Sequence, residues 1–353
     1  MKISDLEFLK VAVPGNGPSG PVRALLVRIV TERGLEGWGE AELTWRHTEL
    51  EPRREMLLAT LAGRSIFDIE ELLRLDVLRH PPLAAAIETA CWDLVGKIAG
   101  EPLCHLWGGA FRRRVPLIPR LAAATSADDE AVLRRARELV EQGYHAQVVH
   151  SCGEPQADLA LLSRLRDVAG GRGELWLDGR GGYTSDAARD LCGELEAGSV
   201  RYFLDPISPR EFDSLSALQM QTTTELGACR GIAQPSDVMT LVRGGAVGIV
   251  LIAPALVGGL AHTARCAVVA QAGSLSAGLG IGPAVGPAMA AMLQLAAAGP
   301  ALSCGVATYW HQLPEDVLSE SLEIVDGMAS VPLGPGLGID VDRAKVDEFL
   351  ETS

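Results

Sequence analysis

The sequence predicts an α/β protein in which a closed barrel of parallel strands follows a smaller α+β domain. After residue 113, short apolar segments typical of buried strands alternate with segments of helical spacing. About eight such units over roughly 210 residues favour a closed barrel over an open sheet. Before residue 113, strands come first and helices follow, which indicates a separate unit. In such barrels the functional residues lie at the carboxyl ends of the strands.

The first third of the chain begins with strands and continues with helices. Residues 22–31 form a β-rich run, and Gly34 and Gly37 mark a turn into a second strand, which predicts a hairpin. Apolar residues then recur at helical spacing, and the last helical segment stops at a glycine. The helical segments are 51–63, 68–78 and 81–100.

The barrel region contains short apolar runs, with helical segments between most of them. The first predicted strand lies within FRRRVPLIPRLAAAT and carries Arg120 at its end. The runs that follow predict the remaining strands. They are HAQVVH (145–150), ELWLDG (174–179), VRYFLDP (200–206), TTTELGAC (222–229), GIVLIAP (248–254), GSLSAGLG (273–280) and ALSCGVATY (301–309).

Composition and charge limit the classes of function. The 353 residues are 48% hydrophobic and 22% charged, as in a compact globular protein. A formal net charge of −14 disfavours nucleic acid and anionic membrane surfaces, so we expect a small-molecule partner. No run approaches the roughly 20 apolar residues of a membrane span, and no signal peptide is evident, so we expect a cytoplasmic protein. Seven scattered cysteines without a C-x-x-C pair are expected to be reduced thiols.

Polar side chains follow the predicted strands where a site would form. His150 ends the second strand, and its imidazole would serve either as a proton acceptor near neutral pH or as a hydrogen-bonded filler. Asp178 ends the third strand. Arg180 lies two residues further on, hence on the same side of an extended chain. Arg180 would either pair with Asp178 or bind a substrate carboxylate with its planar guanidinium.

Several segments resemble the mandelate racemase/muconate lactonizing enzyme branch of the enolase superfamily. The resemblance covers nearly the whole chain and implies a (β/α)7β TIM-like barrel at 113–330. It implies a capping domain at 1–112, completed by the tail 331–353, whose loops 14–20 and 43–49 reach the substrate pocket, and a homo-oligomer. The segments are GLEGWGEAE, AAIETACWDLVGKIAGEPLCHLWGG, GYHAQVVH, LWLDGRGGY, YFLDP, RGGAVGIVLIAPALVGGL and PGLGIDVD.

The resemblance also implies a Mg²⁺-dependent reaction, but most of the metal ligands and catalytic bases that it implies are replaced in this sequence. In the family, three carboxylates bind Mg²⁺, the metal holds a substrate carboxylate, and bases on opposite strands move the α-proton. Only Asp178 is retained among the implied metal ligands, with Asp205 and Glu225 as weak candidates. Elsewhere, the implied ligands and bases align with Val148, His150, Leu204, Cys229, Ala253, Gly280 and Ala307.

These departures predict that ordinary Mg²⁺-assisted proton abstraction is lost and that no cofactor is used, because one carboxylate is too little for a hard dication. If the protein is active, it would be a metal-independent isomerase or lyase acting on a small carboxylate-bearing molecule. His150 would be the base and Arg180 the electrostatic stabiliser. One alternative is a non-catalytic pseudoenzyme that binds a small molecule or serves as a scaffold. The other is a conventional Mg²⁺-dependent racemase or cycloisomerase that uses displaced ligands such as Asp205 and Glu225.

Further residues are candidates for lining the substrate pocket. Arg120 ends the first barrel strand, and Tyr309 and His311 follow the last one. Trp45 and His47 lie in a predicted cap loop. Packing of aromatic rings under the cap explains these positions almost as well as contact with a substrate.

Overall fold

The computed structural model describes residues 1–17, 20–42, 45–121, 129–170, 173–195 and 200–351. Its N-terminal part is a three-stranded antiparallel sheet of β1 (Ile3–Val13), β2 (Val22–Thr31) and β3 (Glu36–Ala41). The predicted hairpin therefore exists as β2 and β3, but β1 was not expected. Four helices follow the sheet, namely α1 (His47–Leu61), α2 (Ile69–Leu72), α3 (Pro81–Ala99) and α4 (Leu103–Leu106).

Glycine allows the longest of these helices to lie directly on the sheet. The two glycines of the predicted turn have different roles: Gly34 has φ +76°, as a turn requires, whereas Gly37 lies within β3. A Cβ on Gly39 would overlap with the Ala86 carbonyl oxygen of α3. Only glycine therefore permits this close contact between strand and helix.

The remaining two thirds of the chain form the predicted barrel, which is confirmed. Eight strands pair in parallel in chain order, and the last pairs with the first. The strands are β4 (Arg114–Leu121), β5 (Ala146–His150), β6 (Glu174–Asp178), β7 (Tyr202–Leu204), β8 (Leu226–Ala228), β9 (Ile249–Ile252), β10 (Ser276–Gly280) and β11 (Val306–Thr308).

Helices cover the outside of the barrel between successive strands, as parallel connections require. Several begin with proline and end at a left-handed glycine, for example Gly170 and Gly245, which explains why they start and stop where they do. The helices are α5 (Asp129–Glu141), α6 (Pro155–Ala169), α7 (Ser185–Leu195), α8 (Phe212–Gln219), α9 (Pro235–Gly244), α10 (Pro254–Val257), α11 (Leu260–Ala272) and α12 (Pro287–Ala298).

The chain after the barrel returns to the N-terminal sheet. A small hairpin of β12 (Ile324–Val325) and β13 (Met328–Ser330) pairs with β4. Helix α13 (Arg343–Glu348) follows, and Phe349 O then accepts a hydrogen bond from Ala12 N of β1. Among the helices of the described ranges, we find no candidate for a membrane span.

Buried carboxylates join the N-terminal domain to the barrel. Glu40 of β3 accepts backbone N–H groups at the start of α12, from Val285 at 2.6 Å and Ala288 at 2.9 Å. Glu88 of α3 accepts the N–H groups of Leu260 and Ala261, where α11 begins. The first N–H groups of a helix have no intrahelical acceptor. At the start of two barrel helices, carboxylates of the capping domain accept these N–H groups.

Candidate active site at the barrel mouth

Three neighbouring strands place their polar residues at the same end of the barrel. Arg120 lies near the end of β4, His150 ends β5, and Asp178 ends β6. The register sets His150 beside Asp178, and Asp178 beside Leu204 of β7. Because all eight strands are parallel, these side chains meet at one mouth.

Apolar side chains fill the barrel below this mouth. Val148 and Leu204, which stand where the family resemblance implies polar residues, are fully buried in a cluster inside the barrel. Ala307 and Cys229 belong to the same cluster. These substitutions therefore extend the apolar interior up to the level of Asp178.

Arg230, which was not among the predicted site residues, is the central cation of the mouth. Its Nη1 and Nη2 donate to Asp178 Oδ1 and Oδ2 at 2.7 and 3.0 Å, a bidentate pair. Nη1 also lies 2.9 Å from Asp205 Oδ2. Its guanidinium therefore lies between two carboxylates at the place where the family resemblance implies a metal ion.

Asp205 faces the mouth, contrary to what simple strand alternation predicts. The strand ends at Leu204, and Asp205 adopts φ +40°, which turns its side chain towards the next strand. There it accepts hydrogen bonds from the backbone N–H groups of Cys229 at 2.8 Å and Arg230 at 3.1 Å. Burial and the nearby charge of Asp178 raise the pKa of Asp205.

The expected ion pair between Asp178 and Arg180 does not form. Arg180 has φ +55°, so the chain has left the extended conformation on which the prediction depended. Only its backbone N–H reaches Asp178, at 2.9 Å from Oδ1, and its side chain is exposed. Asp178 is instead paired with Arg230 and with Arg120, whose Nη1 lies 3.1 Å from Oδ2.

Asp178 is the most highly connected group of the mouth and is 1% exposed. Burial alone would raise its pKa, but the hydrogen bonds and charges of Arg230 and Arg120 hold the pKa below its usual value. Asp178 is therefore a carboxylate at neutral pH.

His150 contacts both Asp178 and an aromatic residue from the last strand. Its Nε2 lies 3.1 Å from Tyr309 Oη and 3.7 Å from Asp178 Oδ2, and it is 8% exposed. The Tyr309 ring meets the imidazole edge to face. Burial lowers the pKa of His150 to about 4, aided by Arg120, Arg180 and Arg230 and opposed by Asp178. The imidazole is therefore uncharged at neutral pH.

Cys229 is a buried thiol rather than an activated one. Burial raises its pKa to about 11, and the charges of Arg120 and Arg230 only partly oppose this rise. The thiolate fraction at neutral pH is then very small, which argues against a nucleophilic role.

Three further residues that were predicted to line the substrate pocket, Trp45, His47 and His311, have no hydrogen bond or ion pair with the polar cluster among the described residues. Trp45 packs in the capping domain between Phe8 and His80, with Arg53 over its ring. His47 is the exposed first residue of α1.

His311 is half-buried in a 3-10 turn after β11, and its carbonyl oxygen accepts a hydrogen bond from Arg135. Burial lowers the pKa of His311 to about 3.

The position of Glu225 excludes it as a displaced metal ligand. It precedes β8 and therefore lies at the amino end of that strand, whereas Asp178 lies at the carboxyl end of β6. There it pairs with Arg201 at 2.5 Å, at the protein surface. Glu225 cannot join Asp178 around one cation.

The residues at the mouth do not fit the Mg²⁺ that the family resemblance implies. A hard dication needs several oxygen ligands with negative charge. The available carboxylates, Asp178 and Asp205, already bind Arg230, and Cys229, where the resemblance implies a further metal ligand, carries a protonated thiol. Within the described ranges, no group of three or more His, Cys, Asp or Glu residues is arranged to hold a metal ion.

Two family profiles match the chain. A profile described as enolase C-terminal domain-like matches residues 131–345. The profile of the N-terminal domain of mandelate racemase and muconate lactonizing enzyme matches residues 18–108. Together they cover the barrel and most of the capping domain.

Individual relatives show the same likeness over most of their length. Muconate cycloisomerase 1 of Rhodococcus opacus is 25% identical, over 91% of this chain and 89% of that protein. D-gluconate dehydratase of Thermoproteus tenax is 22% identical, over 92% of this chain and 69% of that protein. The crystal structure of a muconate cycloisomerase from Azorhizobium caulinodans superposes with a TM-score of 0.85 at 27% identity, covering 99% of this chain and 98% of that one.

Proposed function

This chain belongs to the mandelate racemase/muconate lactonizing enzyme branch of the enolase superfamily, and we propose that it acts as an isomerase or lyase without a metal ion. Its substrate would be a small carboxylate-bearing molecule bound at the barrel mouth. The observation that carries this proposal is the position of the Arg230 guanidinium between Asp178 and Asp205. A fixed organic cation there supplies positive charge where relatives of this fold are expected to use a metal.

The charges at the strand ends favour the carboxylate of a ligand. There Arg120 and Arg230 balance Asp178 and Asp205, and the exposed guanidinium of Arg180 is a surplus positive charge. This local surplus contrasts with the net charge of −14 for the whole chain. A planar guanidinium matches a carboxylate with two parallel hydrogen bonds, and Arg230 is 32% exposed, so a ligand can reach it.

His150 is the group best placed to accept a proton. Its imidazole is neutral above about pH 4, so one ring nitrogen carries a lone pair at physiological pH. The Tyr309 ring packs edge to face against the imidazole, and Tyr309 Oη forms a hydrogen bond with Nε2 in which either atom can donate. A substrate whose carboxylate binds Arg230 and Arg180 would present its α-carbon near this pair.

The proposed step moves one proton and stabilises the charge that it leaves behind. His150 takes the α-proton and becomes an imidazolium, while the electron pair of the C–H bond moves into the substrate carboxylate. Arg230 and Arg180 stabilise the resulting enediolate through preorganised charge. Return of the proton to carbon gives an isomerase, and departure of a β-substituent gives a lyase.

Solvent-exchange NMR tests this proposal directly. The purified protein in ²H₂O with a chelator is incubated with D-gluconate, the acid in the name of one relative, and with a panel of amino- and hydroxy-carboxylates. We expect deuterium at the α-carbon of at least one acid, and its loss in His150→Asn. His105→Asn is the matched control, because His105 is an exposed histidine on the surface of the capping domain. Exchange that appears only after Mg²⁺ is added contradicts the proposal.

A second candidate function is non-catalytic binding of a carboxylate. The specific observation that favours it is the pKa of about 4 for His150, because a base this weak has little driving force to remove a carbon-bound proton. Saturable binding of acids without exchange in any of them would support this candidate over the first.

A further inference from the structure

Glu42, at the end of β3 in the capping domain, faces the barrel mouth. It lines a cavity of about 70 Å³ between this domain and the ends of β9 and β10. The lining is otherwise small and mainly apolar, and includes Ala253, Gly280 and Gly282. At Gly280 the cavity wall adjoins the polar cluster, because a Cβ on Gly280 would lie 3.4 Å from Arg120 Nη2 and 3.6 Å from Cys229 Sγ.

The structure makes specific room for the Glu42 carboxylate. A Cβ on Gly282 would overlap with Glu42 Oε2, so the carboxylate packs against the bare α-carbon of that glycine. Gly282 has no positive φ, so glycine is not needed there for the backbone conformation. The absence of a side chain at position 282 therefore leaves room for the carboxylate at this place, and a methyl group there would displace it.

Within the described part of the chain, the Glu42 carboxylate has no counterion. Among the described residues, no hydrogen bond or ion pair to its side chain is present, although partial burial raises its pKa. The buried Glu40 beside it in sequence differs, because Glu40 accepts three backbone N–H groups. Glu42 is thus an acceptor without a hydrogen-bond donor among the residues that the structure describes.

The charges of Glu42 and of two arginines of the mouth all influence the pKa of Tyr309. The charges of Arg120 and Arg230 lower the pKa of Tyr309, whereas those of Asp178 and Glu42 add to the rise that burial causes. The mouth therefore presents cations on the side of the strand ends and a free anion on the side of the capping domain.

We propose that Glu42 binds an ammonium group of the substrate, whose carboxylate is held by Arg230 and Arg180. The inference rests on the proposed function and narrows its substrate class to small amino-carboxylates. Opposite charges at the two ends of a site favour a zwitterion over a plain anion and fix its direction. Glu42 is exposed to solvent, so a plain carboxylate gains nothing from it, whereas an ammonium group would pair with it.

Calorimetric titration with matched acids tests the inference. The probes are glycine, β-alanine, 4-aminobutyrate and 5-aminopentanoate, each compared with the unsubstituted acid of the same carbon number. We expect at least one amino acid to bind about 10-fold more tightly than its plain counterpart, since a partly desolvated ion pair contributes roughly 1.4 kcal/mol. Glu42→Gln and Gly282→Ala should both abolish this preference, the second because its methyl group displaces the carboxylate.

The controls separate this inference from the proposed function. Glu55→Gln removes an exposed charge of α1 and should leave the preference intact. Equal binding of amino and plain acids by the wild-type protein, or an equal loss of both in Glu42→Gln, overturns the inference and leaves the proposed function standing. Failure of every acid to bind the wild-type protein overturns both.

Discussion

The barrel mouth and the junction between the two domains both contain buried carboxylates, but they compensate the charge differently. At the junction, Glu40 and Glu88 accept backbone N–H groups that start barrel helices. At the mouth, Asp178 and Asp205 accept side-chain guanidinium groups. Backbone donors are fixed by the helix and serve only to join the domains. A guanidinium has five N–H donors, so some of them remain available to a ligand after the contacts with the carboxylates are made. A binding site requires such available donors.

Breaking the guanidinium contact should have the largest effect. Arg230→Met leaves Asp178 and Asp205 without their shared cation. We expect binding of small carboxylates to fall by about 100-fold or more, and the free energy of unfolding to fall by about 3 kcal/mol, since Asp205 would be a buried carboxylate without a cation, while Asp178 would keep Arg120. Calorimetry and urea denaturation measure the two effects.

Arg201→Met is the matched control for that variant. Arg201 pairs with Glu225 at the surface, so its loss should cost less than about 1 kcal/mol and leave carboxylate binding unchanged. Equal destabilisation by the two substitutions would contradict the contrast between a buried and an exposed pair.

Breaking a junction contact should weaken folding but not ligand binding. Glu88→Ala leaves the N–H groups of Leu260 and Ala261 without acceptors, which should lower the free energy of unfolding by about 2–3 kcal/mol. The affinity for carboxylates should stay within about twofold of the wild-type value, in line with a purely structural role. A large loss of affinity in a folded Glu88→Ala protein would show that the two regions are coupled.

The pH dependence of stability should also differ between the regions. Burial raises the pKa of Glu40 to about 7, so the folded state binds more protons than the unfolded state between about pH 4.5 and 7. The contribution of Glu40 to stability therefore falls as pH rises through this window, by about 3 kcal/mol at most. Glu40→Gln should remove this slope in denaturation experiments across the range.

His150 should give the opposite slope. Its folded pKa of about 4 lies below the unfolded value, so the unfolded state binds the extra proton and stability is lost as pH falls from about 6.5 towards 4. Histidine NMR should show the His150 imidazole still neutral at pH 5. Protonation of His150 near pH 6.5 would contradict the description of the mouth.

The smallest expected effect concerns the width of the cavity. Gly280→Ala places a methyl group 3.4 Å from Arg120 Nη2, close enough to narrow the cavity with little clash. We expect a change of less than about 1 kcal/mol in stability and a loss of affinity only for the larger acids in a size series. Uniform loss across the series would mean that Arg120 itself has moved.

Most of the barrel could be predicted from the sequence, because buried parallel strands read as short apolar runs. Strand β1 was missed because its polar and charged residues, such as Asp5 and Glu7, interrupt the apolar pattern. The contacts of the mouth were harder to predict for a different reason. Asp205 and Arg180 lie just after strand ends and adopt positive φ, so strand alternation gives their directions wrongly.

Arg230 was missed because its role depends on the length of its side chain rather than on its place in a strand. It follows Cys229 just after a three-residue strand, where alternation gives no reason to expect it inside the mouth. Its long side chain nevertheless crosses to Asp178, two strands away. A positively charged residue beside Cys229, a position where the family resemblance implies a metal ligand, is the signal that would have identified it.

Titration of Mg²⁺ into the wild-type protein and Asp178→Asn tests the central claim most directly, since the claim is that Arg230 takes the place of a metal. The account predicts no saturable binding at the mouth up to about 10 mM Mg²⁺, a concentration at which even weak protein sites for divalent cations fill. Any weak binding to the acidic surface should be the same in both proteins. Tight binding by the wild-type protein that disappears in Asp178→Asn would contradict it.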